Sequence, residues 1–163
     1  MGAVPVREAV LEDVDLLVTM MSEFYAEAGF PLNAGRARSA FEELLRNPVY
    51  GRSFLVALNG EDAGYLVLTL TYSMEYGGLA AFIDDFYLRP AFRGRGVGSA
   101  ALAAVRDHAV GLGVRAIHLE VGRDNAPAQA VYRKTGFADN DRQLLTLRLA
   151  AATHETGADH TQP

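Results

Sequence analysis

The chain has 163 residues, a net charge of −5 and no cysteine. That length suits one domain with its own buried core, and the charge disfavours general nucleic-acid binding. The missing cysteine excludes disulfides, thiolate metal sites and a cysteine nucleophile, and no run reaches the ~18 apolar residues of a membrane span.

Val4 to Ala9 is the first strand candidate. Glu12 and Asp13 open a helix, since acids favour the positive end of its dipole. Val14, Leu17, Val18, Met21, Tyr25 and Ala28 give that helix one apolar stripe, and Gly29 and Pro31 stop it. Ala37, Ala40, Phe41, Leu44 and Leu45 mark a second helix, ended by Asn47-Pro48. Phe54 to Leu58 is a strand, Asn59-Gly60 a hairpin turn, and Gly64 to Thr71 the returning strand. Gly77-Gly78 turns the chain again into a strand over Ala80 to Leu88. After a Gly-rich turn, Val97, Ala101, Ala104, Val105, His108 and Leu112 mark a third helical face, closed by Gly111 and Gly113. Ile117, Leu119 and Val121 alternate with polar residues as a strand does. Asn125 to Thr135 reads as a short helix and Leu144 to Leu149 as a last strand.

The order βααβββαβαβ defines an α/β protein with a mixed, mostly antiparallel sheet and helices on both faces. Residues 1–149 form a single domain in this reading, and 150–163 a flexible C-terminal tail. The tail histidines, His154 and His160, are not read as ligands, and no metal site is expected. Met1 to Arg7 lacks the basic flank and apolar block of a signal peptide. With no cysteine, the cytoplasm is the expected location. Charge is unevenly spread: thirteen acids against five arginines up to Leu88, a net of −8, then ten basic residues against seven acids, a net of +3.

The turn Arg93-Gly94-Arg95-Gly96-Val97-Gly98-Ser99 joins a strand to a helix. Glycines there let backbone N–H groups approach an anion, the helix dipole adds to them, and the arginines bring charge. It lacks the Gly-Lys-Ser/Thr ending of a nucleotide P-loop and the G-x-G-x-x-G spacing of a dinucleotide site. Two further segments flank it. One is Ile83-Asp84-Asp85-Phe86-Tyr87-Leu88-Arg89-Pro90; the other runs from Asn125-Ala126-Pro127-Ala128 through Tyr132 to Gly136-Phe137. Together they resemble the GNAT superfamily of acetyl-CoA-dependent N-acetyltransferases, over roughly residues 4 to 149. Arg93, Gly96 and Gly98 fill the family's pyrophosphate turn. Asn125, Ala128, Tyr132, Gly136 and Phe137 fill its N-x-x-A-x-x-x-Y-x-x-x-G-F pattern. Among members, the acidic pair with Asn125-Ala126-Pro127 looks most like polyamine and diamine acetyltransferases, and the segment from Gly64 to Asp85 also resembles the histone/polyamine type.

The resemblance implies acetyl transfer from acetyl-CoA to a primary amine. The cofactor would be held by Phe86, Tyr87, Leu88, the turn Arg93, Gly94, Arg95, Gly96, Val97, Gly98 and Ser99, and by Asn125 and Ala128. Asp84 is the implied base, acting through water, and Tyr132 the general acid toward the thiolate. An alkyl amine with pKa ~10.4 arrives as a cation, so acids and aromatics should line its site. Glu23, Tyr25, Glu27, Tyr72, Glu75 and Asp85 are the candidates. Strict alternation would put Asp84 with Phe82 and Phe86, and Asp85 with Ile83 and Tyr87. The expected acceptor is a small cationic amine, such as a polyamine or diamine. The alternatives are an aminoglycoside, an amino acid, a protein lysine or N-terminus, or a CoA sensor without catalysis. No nucleic-acid or membrane partner is expected, and a homodimer is left open.

Overall fold

The computed structural model describes residues 4–149. Five strands lie in the order β1 (Val6–Glu8), β2 (Gly51–Leu58), β3 (Glu61–Ser73), β4 (Gly78–Leu88) and β5 (Ile117–Leu119). Neighbours are antiparallel except β4 and β5, which are parallel. The helices are α1 (Val14–Ala28), α2 (Ala34–Arg46), α3 (Val97–Gly111) and α4 (Ala126–Lys134). This is the α/β architecture the sequence predicts, with most boundaries moved by a few residues.

Local chemistry accounts for the punctuation. Gly29 caps α1 at φ 75°, and the Asn33 side chain caps α2 by accepting from the Arg36 amide at 2.9 Å. Asn59 and Gly60 take φ 54° and 83°, the left-handed pair that a tight hairpin needs.

The sheet is buried on both faces, so its central strands are nearly continuous apolar runs. Leu55, Tyr65, Val67 and Tyr87 pack under α1 and α2 with Leu17, Met20 and Phe41. Phe54, Leu66, Leu68, Ala81 and Ile83 pack under α3 with Leu102, Val105 and Ala109, and Val131 and Tyr132 of α4 close that side.

Two expectations change. The strand expected over Leu144–Leu149 does not form: those residues pair with no strand among the described residues, and Leu145 is 87% exposed. Alternation along β4 also breaks. Val67 faces Asp85 but Leu68 faces Ile83, so Asp84 is an extra residue in a β-bulge. Ile83 and Phe86 therefore both turn toward α3, while Asp85 and Tyr87 turn toward α1. Asp85 does not share a face with Ile83. The tail 150–163 lies outside the described residues, with His154 and His160.

Candidate active site

The bulge sits where β4 and β5 part. β5 pairs with Ala81, Phe82 and Ile83, and the ladder stops there. From Asp84 to Leu88, β4 keeps β3 on one edge and leaves the other open. An open edge presents backbone donors and acceptors to any extended, amide-bearing ligand. Phe86, Tyr87 and Leu88 lie on that stretch.

The Gly-rich turn follows directly. Pro90–Phe92 forms a 3₁₀ turn, Gly94 and Gly96 take φ 69° and 79°, and α3 begins at Val97 with no side chain capping it. Only glycine adopts that backbone without strain. The uncapped start at Val97, Gly98 and Ser99 leaves helix N–H groups for an anion. A Cβ on Gly98 would lie 3.5 Å from Leu88, 3.7 Å from Val131 and 3.8 Å from Phe86. The end of β4, the start of α3 and α4 thus converge on this glycine. Among the described residues Arg95 makes only a 3.5 Å contact with the Ala91 carbonyl.

Arg93 points elsewhere. Its guanidinium donates to Glu27 at 2.6 and 2.8 Å and to the Leu88 carbonyl at 2.7 Å, and lies 5.6 Å from the Tyr87 ring centroid. The structure thus ties Arg93 to α1 rather than aiming it at the turn's centre.

On α4, Asn125 accepts from the Ala128 amide at 3.2 Å and so caps the helix N-terminus. Its own side-chain amide has no protein partner among the described residues. Tyr132 is half-buried against Phe137, ring centroids 5.8 Å apart. Burial raises its pKa, so the phenol stays protonated at neutral pH. Its hydroxyl has no hydrogen-bond partner among the described residues and is not sealed from solvent.

The acidic candidates divide sharply. Glu23 is held by Arg89 at 2.8 Å, Glu27 by Arg93, and Glu75 by Arg142 at 2.7 Å. Hydrogen bonds from these arginines lower all three carboxyl pKa values. Each of these carboxylates is engaged by an arginine in this structure. Tyr72 is exposed and pairs with Leu79, and Glu75 lies in the turn before β4. Five residues of strand separate Leu79 from Asp84, about 16 Å, so the structure does not bring Tyr72 or Glu75 to the bulge.

What gathers at the bulge is smaller. Asp84 is exposed. Asp85 is largely buried, and accepts a 2.8 Å hydrogen bond from the hydroxyl of Tyr65. Burial raises the Asp85 pKa; Tyr65 lowers it and the neighbouring Asp84 charge adds to the rise. Burial raises the pKa of Tyr25 of α1, and the charges of Asp85 and Asp84 add to that rise. Neither Asp has an arginine or lysine partner among the described residues. Tyr65 was missed by sequence reasoning. The available signal was a phenol in the apolar run Ala63–Leu68 of β3, because a buried hydroxyl needs a partner.

The sequence profile of the Acetyltransferase (GNAT) family matches residues 17–137. The chain belongs to that family. It is 41% identical over 61 residues to the uncharacterized N-acetyltransferase YycN of Bacillus subtilis (strain 168), a match over 37% of this chain and 39% of that protein. Another curated relative is also matched over less than half its length. The aminoglycoside N(6')-acetyltransferase type 1 of Stenotrophomonas maltophilia is 27% identical, over 86% of this chain and 90% of that protein. Among solved structures, the integron cassette protein HFX_CASS3 from the mobile metagenome of Cole Harbour Salt Marsh is 48% identical. It superposes with a TM-score of 0.81, over 92% of this chain and 93% of that one.

Proposed function

We propose that the protein moves acetyl from acetyl-CoA to a primary amine of a small polycationic acceptor, by direct transfer. The fit to the cofactor rests on three features: an uncapped, left-handed Gly turn, the open β4 edge beyond Ile83, and the unpaired Asn125 amide. Gly94, Arg95, Gly96, Val97, Gly98 and Ser99 would take the phosphates. Phe86, Tyr87 and Leu88 would pair with the amides of the arm through their backbone, and Asn125 beside Ala128 would bond its far side. When bound, acetyl-CoA supplies an acetyl group activated as a thioester.

The remaining chemistry belongs to the chain. Asp84, through water, takes the proton of the incoming ammonium. The freed nitrogen forms the new C–N bond as the C–S bond breaks, the Tyr132 hydroxyl gives its proton to the departing thiolate, and the second proton shed by the acetylated nitrogen returns to the Tyr132 phenolate. Asp85, held by Tyr65, binds the cationic acceptor beside Tyr25. One observation carries the acceptor class. Among the described residues Asp84 and Asp85 stand without a basic partner, whereas Glu23, Glu27 and Glu75 are each paired with an arginine. Polyamines and aminoglycosides share this chemistry, and the Stenotrophomonas relative carries the second in its name. The deciding experiment is a panel of amines with acetyl-CoA, read by thiol release. Polyamines or aminoglycosides should react faster than neutral or peptide amines. A preference for a neutral amine overturns the acceptor class, and no thiol release from any amine leaves a CoA-binding sensor.

A further inference from the structure

Tyr65 is a phenol where a plain phenyl ring would serve the core. It is fully buried in the cluster under α1 and α2, its ring centroid 6.0 Å from that of Phe41 and 6.4 Å from that of Tyr87. A hydroxyl in such a place costs free energy unless it is bonded. Its one partner among the described residues is Asp85, which accepts from it at 2.8 Å.

The carboxylate is equally out of place. Asp85 is largely buried on the same side of the sheet, with no arginine or lysine beside it among the described residues. Exchanging such a bonded pair for apolar side chains of the same shape is nearly neutral or stabilising. Packing therefore gives no reason for either group.

Their geometry gives one. In the β3–β4 register Tyr65 stands opposite Tyr87, and Val67 opposite Asp85. The phenol thus crosses the ladder diagonally to reach the carboxylate, and the rings packed against it hold it in that direction. It takes Oδ2 of Asp85. Oδ1 has no hydrogen-bond partner among the described residues and is not sealed from solvent. The carboxylate is fixed at one oxygen and free at the other, next to the bulge that leaves Asp84 exposed.

We propose that Tyr65 is a positioning residue for the acceptor: it locks Asp85 through Oδ2 so that Oδ1 faces the incoming ammonium. This rests on the assignment of Asp85 to acceptor binding. Tyr65 itself does not touch the substrate. The same hydrogen bond opposes the effect of burial and favours the charged carboxylate, whereas the charge of Asp84 disfavours it. From α1, Tyr25 is the ionisable group coupled to Asp85, and its raised pKa keeps it neutral. From α2, the side chain against the Tyr65 ring is Phe41, which carries no charge. Without the Tyr65 hydroxyl, Asp85 takes up its proton at higher pH and holds a cation less well.

Tyr65→Phe keeps the ring and deletes the hydroxyl. Carbon-13 NMR of the side-chain carboxyls, on protein without substrates, should show Asp85 titrating at higher pH than in the wild type. For a reactive cationic amine, KM should rise roughly tenfold, the worth of a hydrogen bond to a charged group. Both kcat and the KM for acetyl-CoA should stay nearly unchanged, and the acid limb of kcat/KM should move up in pH with the titration. In an Asp85→Asn background, where no buried charge is left, Tyr65→Phe should have no further effect on the amine KM. Phe41→Leu loosens the packing but spares the hydroxyl, and should leave the Asp85 titration in place. An unmoved titration beside an active amine, or a moved one with an unchanged amine KM, overturns the role of Tyr65 alone. A loss that persists in full in the Asp85→Asn background overturns it too, because Tyr65 then acts through packing. A moved titration with no amine acetylated overturns the acceptor assignment of Asp85, and the positioning role falls with it.

Discussion

Asp85 carries its charge in an environment that resists it. Burial is the largest influence on its pKa and raises it, and the Tyr65 hydrogen bond offsets only part of that rise. A carboxyl whose folded pKa lies above its unfolded value binds its proton more tightly when folded. Its penalty is absent below the unfolded pKa, grows as pH rises between the unfolded and the folded value, and is complete above the folded one. Asp85→Asn should therefore melt above the wild type at pH 7, and the gap should close as pH falls into the ordinary carboxylate range. The same variant should lose roughly tenfold or more in kcat/KM for a cationic amine, the value of a charged hydrogen bond. A lower melting temperature at pH 7 would mean that an attractive partner holds the carboxylate. Tyr132→Phe should leave the KM for acetyl-CoA nearly unchanged and cut kcat by ~10²–10⁴-fold, the usual worth of a general acid. Steady-state rates within a factor of two would make Tyr132 a packing residue. Asp84, Asp85 and Tyr132 were legible in the sequence as residue types out of place or in a known spacing. Tyr65 was not, because its partner lies 20 residues away across a strand pair.

Elements show the same division between local and distant causes. The Gly turn and the Asn59-Gly60 hairpin depend on a few consecutive residues, so the sequence displays them. The bulge at Asp84 depends on how β3 and β4 slide past each other, and no short window encodes that register. It nonetheless places Asp84 beside the open β4 edge. Glycines test this layout, because their roles differ. A Cβ on Gly64 would lie 2.1 Å from the Tyr87 carbonyl oxygen, a backbone atom that cannot step aside cheaply. Gly64→Ala should lower Tm by roughly 5 °C or more, since overpacking typically costs ~1–3 kcal/mol and each shifts a domain of this size by about 2–4 °C. Gly98→Ala should cost far less, because its Cβ would meet only ordinary contacts. Gly96→Asp should abolish acetyl-CoA binding by calorimetry, since it puts a side chain on a left-handed residue and a negative charge in the anion site. Unchanged affinity would place the cofactor elsewhere.

At the scale of the whole molecule, the chain's two charge halves meet in the fold. Glu23 with Arg89, Glu27 with Arg93 and Glu75 with Arg142 each join an acid of the first half to an arginine of the second, across 66, 66 and 67 residues. The uneven charge was plain in the sequence; its cancellation was not, because pairing over such distances exists only after folding. A net charge of −8 on one half is therefore a poor measure of the field an acceptor meets. The local field at the β4 bulge comes from Asp84 and Asp85, which have no basic partner among the described residues. Screening acts over ~8 Å at physiological salt, so distant paired charges add little to the attraction of a cation. For a polycationic amine, kcat/KM should fall as salt rises from about 50 to 500 mM across several Debye lengths. Asp84→Asn with Asp85→Asn should remove most of that dependence along with most of the activity, whereas Glu75→Gln should leave the salt slope intact. If the double variant keeps the wild-type slope, the attraction comes from the protein's overall charge, and the bulge carboxylates act only on the bound amine.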